Sequence, residues 1–175
     1  PMLPDNSGRG TIPVAEGGWE TVGPSAIAAD GQATPRAMTL EEVRAVPGQF
    51  ADASRHAVNA GFDCVEIHGA HGYLLHQFLS PMSNTREDEY GGDFNGRTRL
   101  LLEVVEAVRA AIPEGMPLLV RLSATDWVEP EGWCAEDSER LAPLLRDAGV
   151  DLIDVSTGGN VRADIPVGPG YQVDF

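Results

Sequence analysis

The sequence predicts an α/β fold in which helices alternate with short parallel strands. Three observations support this: short continuous apolar runs, longer amphipathic segments between them, and turn residues at the junctions. Helical crossovers of this kind build either an open doubly wound sheet or a (β/α) barrel. Neither a G-x-G-x-x-G loop after the first strand nor a G-x-x-x-x-G-K-[ST] loop is present. The absence of these phosphate loops favours the barrel.

The first 38 residues are rich in glycine and proline and show no periodicity, so we predict an irregular loop region over 1–38. Regular structure is predicted to begin at Thr39, where Thr-Leu-Glu-Glu forms a capping box. The helix should run to about Ala60, because Gly61 suits the position after a helix end. Pro47 lies inside this helix and should kink it or split it after one turn.

Three apolar runs predict the strands, and two amphipathic segments predict the helices between them. The strands are 62–67, 118–122 and 152–155, the helices are 95–111 and 136–148, and a helical turn covers 73–79. Residues 39–175 are therefore βα units, and the chain is predicted to be one domain over 1–175. A second internal proline, Pro143, interrupts the last helix.

Composition excludes several classes of function. The chain has 175 residues, with 12 Lys and Arg against 27 Asp and Glu, so the formal net charge is −15. Such a surface repels phosphate, and we expect binding neither to nucleic acid nor to anionic membranes. No apolar run approaches the roughly 20 residues that cross a bilayer. Two cysteines and no recognisable signal peptide lead us to expect a reduced, cytoplasmic setting.

Three ring side chains follow the first strand: His68, His71 and Tyr73. In α/β folds the carboxyl end of a strand is where ligands bind. Two imidazoles there can both donate to one oxygen, which would polarise a carbonyl or hold a phenolate. Alternatively, one histidine bonds a backbone carbonyl and the other lies at the surface. A metal held by His68, His71 and His76 is a further alternative, but no carboxylate follows at a suitable spacing and we predict no metal site.

Two other residues are candidates for chemistry. A phenol stays protonated at neutral pH, so Tyr73 is the candidate proton donor, unless it only packs on its ring. Arg121 lies on an otherwise apolar strand, where a charge costs several kcal/mol unless an anion meets it. An ion pair with Glu66 is the structural explanation. The functional one is a fixed cation facing a ligand that becomes anionic, as the N1–C2=O edge of a reduced flavin does.

Four charged residues are assigned to structure, as ion pairs that tie down the 84–92 loop. They are Arg86, Asp88, Arg97 and Arg99.

Several segments together resemble the Old Yellow Enzyme family of FMN-dependent ene-reductases. They are VEIHGAHGYLLHQFLSP at 65–81, NTREDEYGG at 84–92, VRLS at 120–123 and DLIDVS at 151–156. The Trp127 loop and PSA at 24–26 are similar to the bacterial NADPH dehydrogenase, or xenobiotic reductase-like, branch. The resemblance covers about residues 17–175.

The resemblance implies a (β/α)8 TIM barrel with FMN at the strand carboxyl ends, of which this chain carries about strands 4–6. NADPH or NADH would reduce the flavin, which would pass hydride to a small electrophilic alkene such as an enone. His68 and His71, with Gly69 and Ala70 between them, would hold the substrate carbonyl oxygen. Tyr73 would protonate the α-carbon, and Arg121 would lie against the flavin N1/O2 edge. The full-length protein is expected to be a homo-oligomer.

The chain also departs from the family pattern. Gly96 stands where the family usually has Asn, and the opening and closing strands of the barrel are missing, with Ser7-Gly-Arg9 as a remnant. We therefore expect the isolated chain to be aggregation-prone, inactive, and a weak binder of FMN at best. Two alternatives stay open: a non-catalytic partial barrel that packs against another chain, and another flavin barrel such as a dienoyl-CoA reductase.

Overall fold

The computed structural model describes residues 10–175, and short parallel strands alternate with helices along them. The strands are β1 (Val22–Gly23), β2 (Arg36–Ala37), β3 (Val65–Gly69), β4 (Leu118–Ser123) and β5 (Leu152–Ser156). The helices are α1 (Leu40–Asn59), α2 (Leu74–Leu79), α3 (Phe94–Ala111) and α4 (Ala135–Asp147). The proposed remnant at Ser7–Arg9 lies outside the described residues.

The strands β3, β4 and β5 form one parallel sheet in which spatial order follows chain order. α3 connects the first pair of strands and α4 the second. A doubly wound sheet reverses its strand order at a switch point, whereas a barrel adds strands in sequence. The predicted barrel segment therefore has the expected topology. In the described part of the chain, no helix is long and apolar enough to span a membrane.

The two faces of this sheet differ. Residues of one face are buried against the helices: Ile67, Gly69, Leu118, Val120 and Leu122. The alternate residues form the other face, which is polar and partly open: Glu66, His68, Leu119, Arg121 and Asp154. In a closed barrel this second face lines the interior. His68 and Arg121 are therefore on the face of the sheet that lines a barrel.

The start of α1 is the predicted capping box: the Glu42 amide donates to Thr39 Oγ1 at 3.2 Å, and the Thr39 amide donates to Glu42 Oε2 at 2.7 Å. Gly61 ends the helix with φ 90°. Of the two outcomes predicted for Pro47, a kink or a split, the split is wrong, since α1 is one helix. Its apolar face, with Val43 and Val46 almost fully buried on the core, holds the helix together across the missing hydrogen bond. Pro143 is accommodated within α4 in the same way.

The first strand lies further along the chain than the predicted 62–67. β3 begins at Val65, because pairing with β4 starts at the Val65–Leu118 register, and it extends through His68 to Gly69. Phe62 is not a buried strand residue, as its side chain is 65% exposed. The other predicted elements agree with the structure to within two residues at each end. Within the irregular 1–38 region, the described part adds the short parallel β1–β2 pair and a 3-10 turn at Val14–Glu16.

Replacing Pro47 by alanine tests the energetic cost of the internal proline. Proline costs about 3 kcal/mol relative to alanine in a helix interior, partly offset by its stiffening of the unfolded chain. We expect P47A to raise the free energy of unfolding by about 2 kcal/mol, measured by urea denaturation. The control G48A, at an open neighbouring position of the same helix, should gain less, about 1 kcal/mol. If the free energy of unfolding of P47A is no higher than that of the unmodified chain, Pro47 does not destabilise α1.

Candidate active site

The register of the sheet places three charged or ionisable side chains in one row. His68 is paired with Arg121, and Arg121 is paired with Asp154. Side chains at paired positions of a parallel ladder project to the same face. An imidazole, a guanidinium and a carboxylate therefore lie side by side on the open face of the sheet.

The ion-pair partner of Arg121 is Asp154, with Nε and Oδ2 3.4 Å apart. The expected structural partner, Glu66, is wrong because the register sets Glu66 beside Leu119. At 3.4 Å the charges attract, but Nε is buried and forms no well-aligned hydrogen bond within the described residues. The guanidinium therefore keeps donor capacity for a further acceptor.

The rings of His68, His71 and Tyr73 come together beside this row. The centroid of His68 lies 5.1 Å from that of His71 and 5.2 Å from that of Tyr73. Tyr73 is 62% exposed on this open side. Gly69 and Ala70, which join the two histidines, are both buried and fix the backbone between them. The predicted grouping of the three rings is present in the structure.

A strained turn presents His71. Its φ is 58°, in the left-handed region that a non-glycine residue rarely adopts, and Gly72 follows with φ 72°. The His71 amide donates to Ser123 Oγ at 3.0 Å, and its ring Nε2 lies 2.6 Å from Ser156 Oγ. The turn is thereby attached to the ends of both neighbouring strands. Within the described residues, neither His68 nor His71 bonds a backbone carbonyl through its ring, and the ring of His71 contacts Ser156 Oγ instead.

The loop after β5 closes on the same turn. A Cβ at Gly72 would lie 2.3 Å from the carbonyl oxygen of Gly159, and a Cβ at Gly159 would lie 2.6 Å from Cα of His71. Only glycine permits this approach at either position.

Burial lowers the pKa of His71 below its ordinary value, and electrostatic interactions with His68 and Arg121 lower it further. His71 is therefore neutral at pH 7. A neutral imidazole has one N–H donor and one lone pair, so it can donate to a ligand oxygen without carrying charge into the site.

His76 belongs to a different, buried network, and the metal alternative that included it is wrong. Its Nδ1 accepts the Gly72 amide at 3.0 Å, and its Nε2 lies 3.1 Å from Asp126 Oδ1, although not on the line of a good hydrogen bond. Asp126 Oδ2 accepts from the Ser80 hydroxyl at 2.5 Å and from the Trp133 amide at 2.9 Å. Through the hydrogen bond from the Gly72 amide to His76, this network helps to hold the Gly72 turn in place.

Burial by itself would raise the pKa of Asp126, but the contacts with His76, Ser80 and the Trp133 amide outweigh it, and the pKa is lowered. Sequence reasoning missed this network. The available signal was a histidine flanked by apolar residues in a short helix, together with an aspartate just after the next strand.

The charged residues in and beside the 84–92 loop are structural as predicted, but Arg97 and Arg99 act on the loop through backbone carbonyls rather than through ion pairs. Arg86 pairs with Asp88 and also donates to the carbonyls of Pro24 and Met38, at 3.0 and 2.7 Å. Arg97 donates to the carbonyls of Leu79 and Gly92, and Arg99 to that of Glu89. These bonds join the loop to α2, to α3 and to the segment between Pro24 and Met38.

Gly96 is explained by a close approach, since a Cβ there would lie 1.9 Å from the carbonyl oxygen of Gly91. The conformation of this loop therefore excludes a side chain at position 96.

Fold and site together define a segment of a parallel (β/α) barrel whose polar groups converge at the strand carboxyl ends. A family model described as the NADH:flavin oxidoreductase / NADH oxidase family matches residues 11–172. The chain belongs to this family.

Curated relatives support this family assignment. An NADH:flavin oxidoreductase of Gibberella zeae is 49% identical over 175 aligned residues, covering 91% of this chain and 42% of the relative. The NADPH dehydrogenase of Bacillus subtilis is 50% identical over 153 residues, covering 87% and 44%. The chain thus spans less than half the length of these curated relatives.

Two solved structures match at similar identity. The old yellow enzyme homologue of Zymomonas mobilis has a TM-score of 0.70 at 32% identity, over 84% of this chain and 45% of that one. A 2-naphthoyl-CoA reductase has a TM-score of 0.78 at 31% identity, over 85% and 23%. The predicted fold class, part of an Old Yellow Enzyme-like barrel, is confirmed.

The variant Asp126→Asn tests the buried network. Because the folded-state pKa of Asp126 is lowered, its carboxylate stabilises the fold above the ordinary aspartate pKa, and this contribution disappears as the pH falls through the folded-state value. We expect D126N to lose about 3 kcal/mol of unfolding free energy at pH 7, and less as the pH falls below about 4.

Urea denaturation across this pH range measures the difference. The control D63N, at an exposed position, should change stability by less than about 0.5 kcal/mol. A pH-independent loss in D126N would show that the ionised carboxylate is not what stabilises the network.

Proposed function

We propose that this chain forms the substrate-binding part of an FMN-dependent NAD(P)H oxidoreductase that reduces the activated C=C bond of enones or related electrophilic alkenes. The observation that carries this proposal is the cluster of His68, His71 and Tyr73 beside Arg121, on the sheet face that lines a closed barrel. Membership of the NADH:flavin oxidoreductase family supports the choice of cofactors.

The residues present fit a flavin. Arg121 carries a permanent charge, and its buried Nε has donor capacity that Asp154 at 3.4 Å does not use up. An anionic, acceptor-rich edge such as flavin N1–C2=O suits this group. FMN, when bound, would supply the hydride taken from NADPH or NADH. The role of the protein is to place the alkene and to manage charge and proton.

In this proposal His68 and His71 hold the carbonyl oxygen of the substrate. Negative charge accumulates on that oxygen as the β-carbon receives hydride, so donors fixed there stabilise the transition state more than the ground state. The neutral state of His71 suits a donor of this kind. Loss of one such donor typically costs about 10²–10³ in rate.

Tyr73 is proposed to give its phenolic proton to the α-carbon. Its ring stands edge-on to His68 and is open to a ligand on the same face. Gly69 and Ala70 would shape the oxygen-binding turn through their backbone. A homo-oligomeric full-length protein and a cytoplasmic location stay predictions.

A second candidate function is reduction of an unsaturated CoA thioester, as in a dienoyl-CoA reductase. The similarity to 2-naphthoyl-CoA reductase favours it. The same oxygen-binding pair would then hold a thioester carbonyl.

A chimera tests the proposal, because the isolated chain is expected to bind FMN weakly. Residues 17–175 would replace the corresponding segment of the Bacillus subtilis NADPH dehydrogenase, and the product would be titrated with FMN, both nicotinamides and a panel of enones. We expect a yellow protein that couples NADPH or NADH oxidation to enone reduction. Turnover of CoA thioesters alone would favour the second candidate. Failure to bind FMN would favour a non-catalytic partial barrel.

Within that chimera, Tyr73→Phe removes the proposed proton donor but keeps the ring. We expect turnover of the enone to fall about 10²–10⁴-fold, the usual contribution of a general acid, while reduction of the flavin by nicotinamide keeps its rate. Stopped-flow absorbance separates the two half-reactions. The matched control Y171F, in the C-terminal turn, should leave both unchanged. Unchanged turnover in Y73F would remove Tyr73 from the mechanism.

A further inference from the structure

A serine hydroxyl at the end of β5 meets the ring of His71. Ser156 is buried, and its Oγ lies 2.6 Å from His71 Nε2, a short and therefore strong contact for these atoms. Either the imidazole donates its proton to the serine oxygen, or the serine donates to a lone pair on the imidazole. In the first arrangement Nδ1 carries a lone pair, and in the second Nδ1 carries the ring proton.

The surrounding hydrogen bonds decide between them. The Gln172 side-chain amide donates to Ser156 Oγ at 3.3 Å and to Thr157 Oγ1 at 3.1 Å. A hydroxyl has one proton, and among the described residues its only other hydrogen-bond partner is His71 Nε2. The serine proton therefore goes to the ring. At the end of β4, by contrast, Ser123 gives its proton to the Gly158 carbonyl at 2.8 Å, and within residues 10–175 its hydroxyl accepts only the His71 backbone amide.

We propose that Ser156 is a positioning residue that holds His71 in the tautomer with its proton on Nδ1. Within the described residues no hydrogen bond engages Nδ1, so this N–H is available to a ligand oxygen. Without the hydroxyl, the neutral ring would exchange between two tautomers, and part of the population would turn a lone pair towards an oxygen that it should bind.

The consequence for substrate rests on the proposed function, since it matters only if His71 binds an oxygen. The tautomer itself is a property of this chain and requires neither flavin nor substrate. A direct measurement of the ring is therefore independent of any activity assay.

The test is long-range 1H–15N NMR of the histidine-labelled chain, carried within the chimera if the isolated chain aggregates, at a pH where His71 is neutral. We expect a single Nδ1–H pattern for His71 in the unmodified chain and loss of that pattern, with mixed tautomers, in Ser156→Ala. Ser156→Thr keeps a hydroxyl and should restore the pattern. The matched control Ser123→Ala removes the neighbouring hydroxyl that touches only the backbone, and it should keep the pattern.

An Nε2–H pattern in the unmodified chain would overturn the inference, as would an unchanged pattern in S156A. Equal shifts in S156A and S123A would show that loop position, not the Ser156 hydroxyl, sets the tautomer. If the chimera fails to reduce enones while these spectra agree with expectation, the proposed function is wrong and the role of Ser156 still holds.

Discussion

The parallel register of β3, β4 and β5 is the constraint on which the candidate site depends. Only this register puts His68 beside Arg121 and Arg121 beside Asp154. Because side chains alternate along a strand, a slip of one residue would turn Arg121 into the apolar layer against the helices. Buried partners such as Ile67, Val120 and Leu122 oppose that slip, since it would expose them. The hydrophobic pattern on one face therefore fixes the chemistry on the other.

A second layer of interactions holds the His71 turn in its strained conformation. The amide of Gly72 is bonded to His76, which faces the buried Asp126, and the amide of His71 is bonded to Ser123. Strained backbone persists only where its surroundings over-determine it. Here two strand ends, the buried His76–Asp126 contact and a glycine contact from the loop after β5 all act on two residues. So many contacts on one turn are typical of a site where a side chain must be placed accurately.

Local patterns were sufficient to predict the alternation of strands and helices, the capping box and the cluster of rings after β3, because each depends on neighbouring residues or on a general rule about strand ends. The predictions that were wrong, and the contacts that were missed, depended on long-range geometry. The partner of Arg121 is Asp154 rather than Glu66, a matter of register that spacing does not reveal. The His76–Asp126 pair joins residues 50 positions apart. Pro47 is tolerated because tertiary packing outweighs local helix propensity.

The most direct measurement is the pKa of His71 by NMR titration in the unmodified chain and in Arg121→Gln. If the two side chains share one cavity, removing the guanidinium removes a positive charge and leaves Asp154 unpaired, and both changes raise the pKa of His71 from its lowered value. The exposed control R55Q should leave it unchanged. An unaltered His71 pKa in R121Q would contradict the account, because the guanidinium and the imidazoles would then not face the same space.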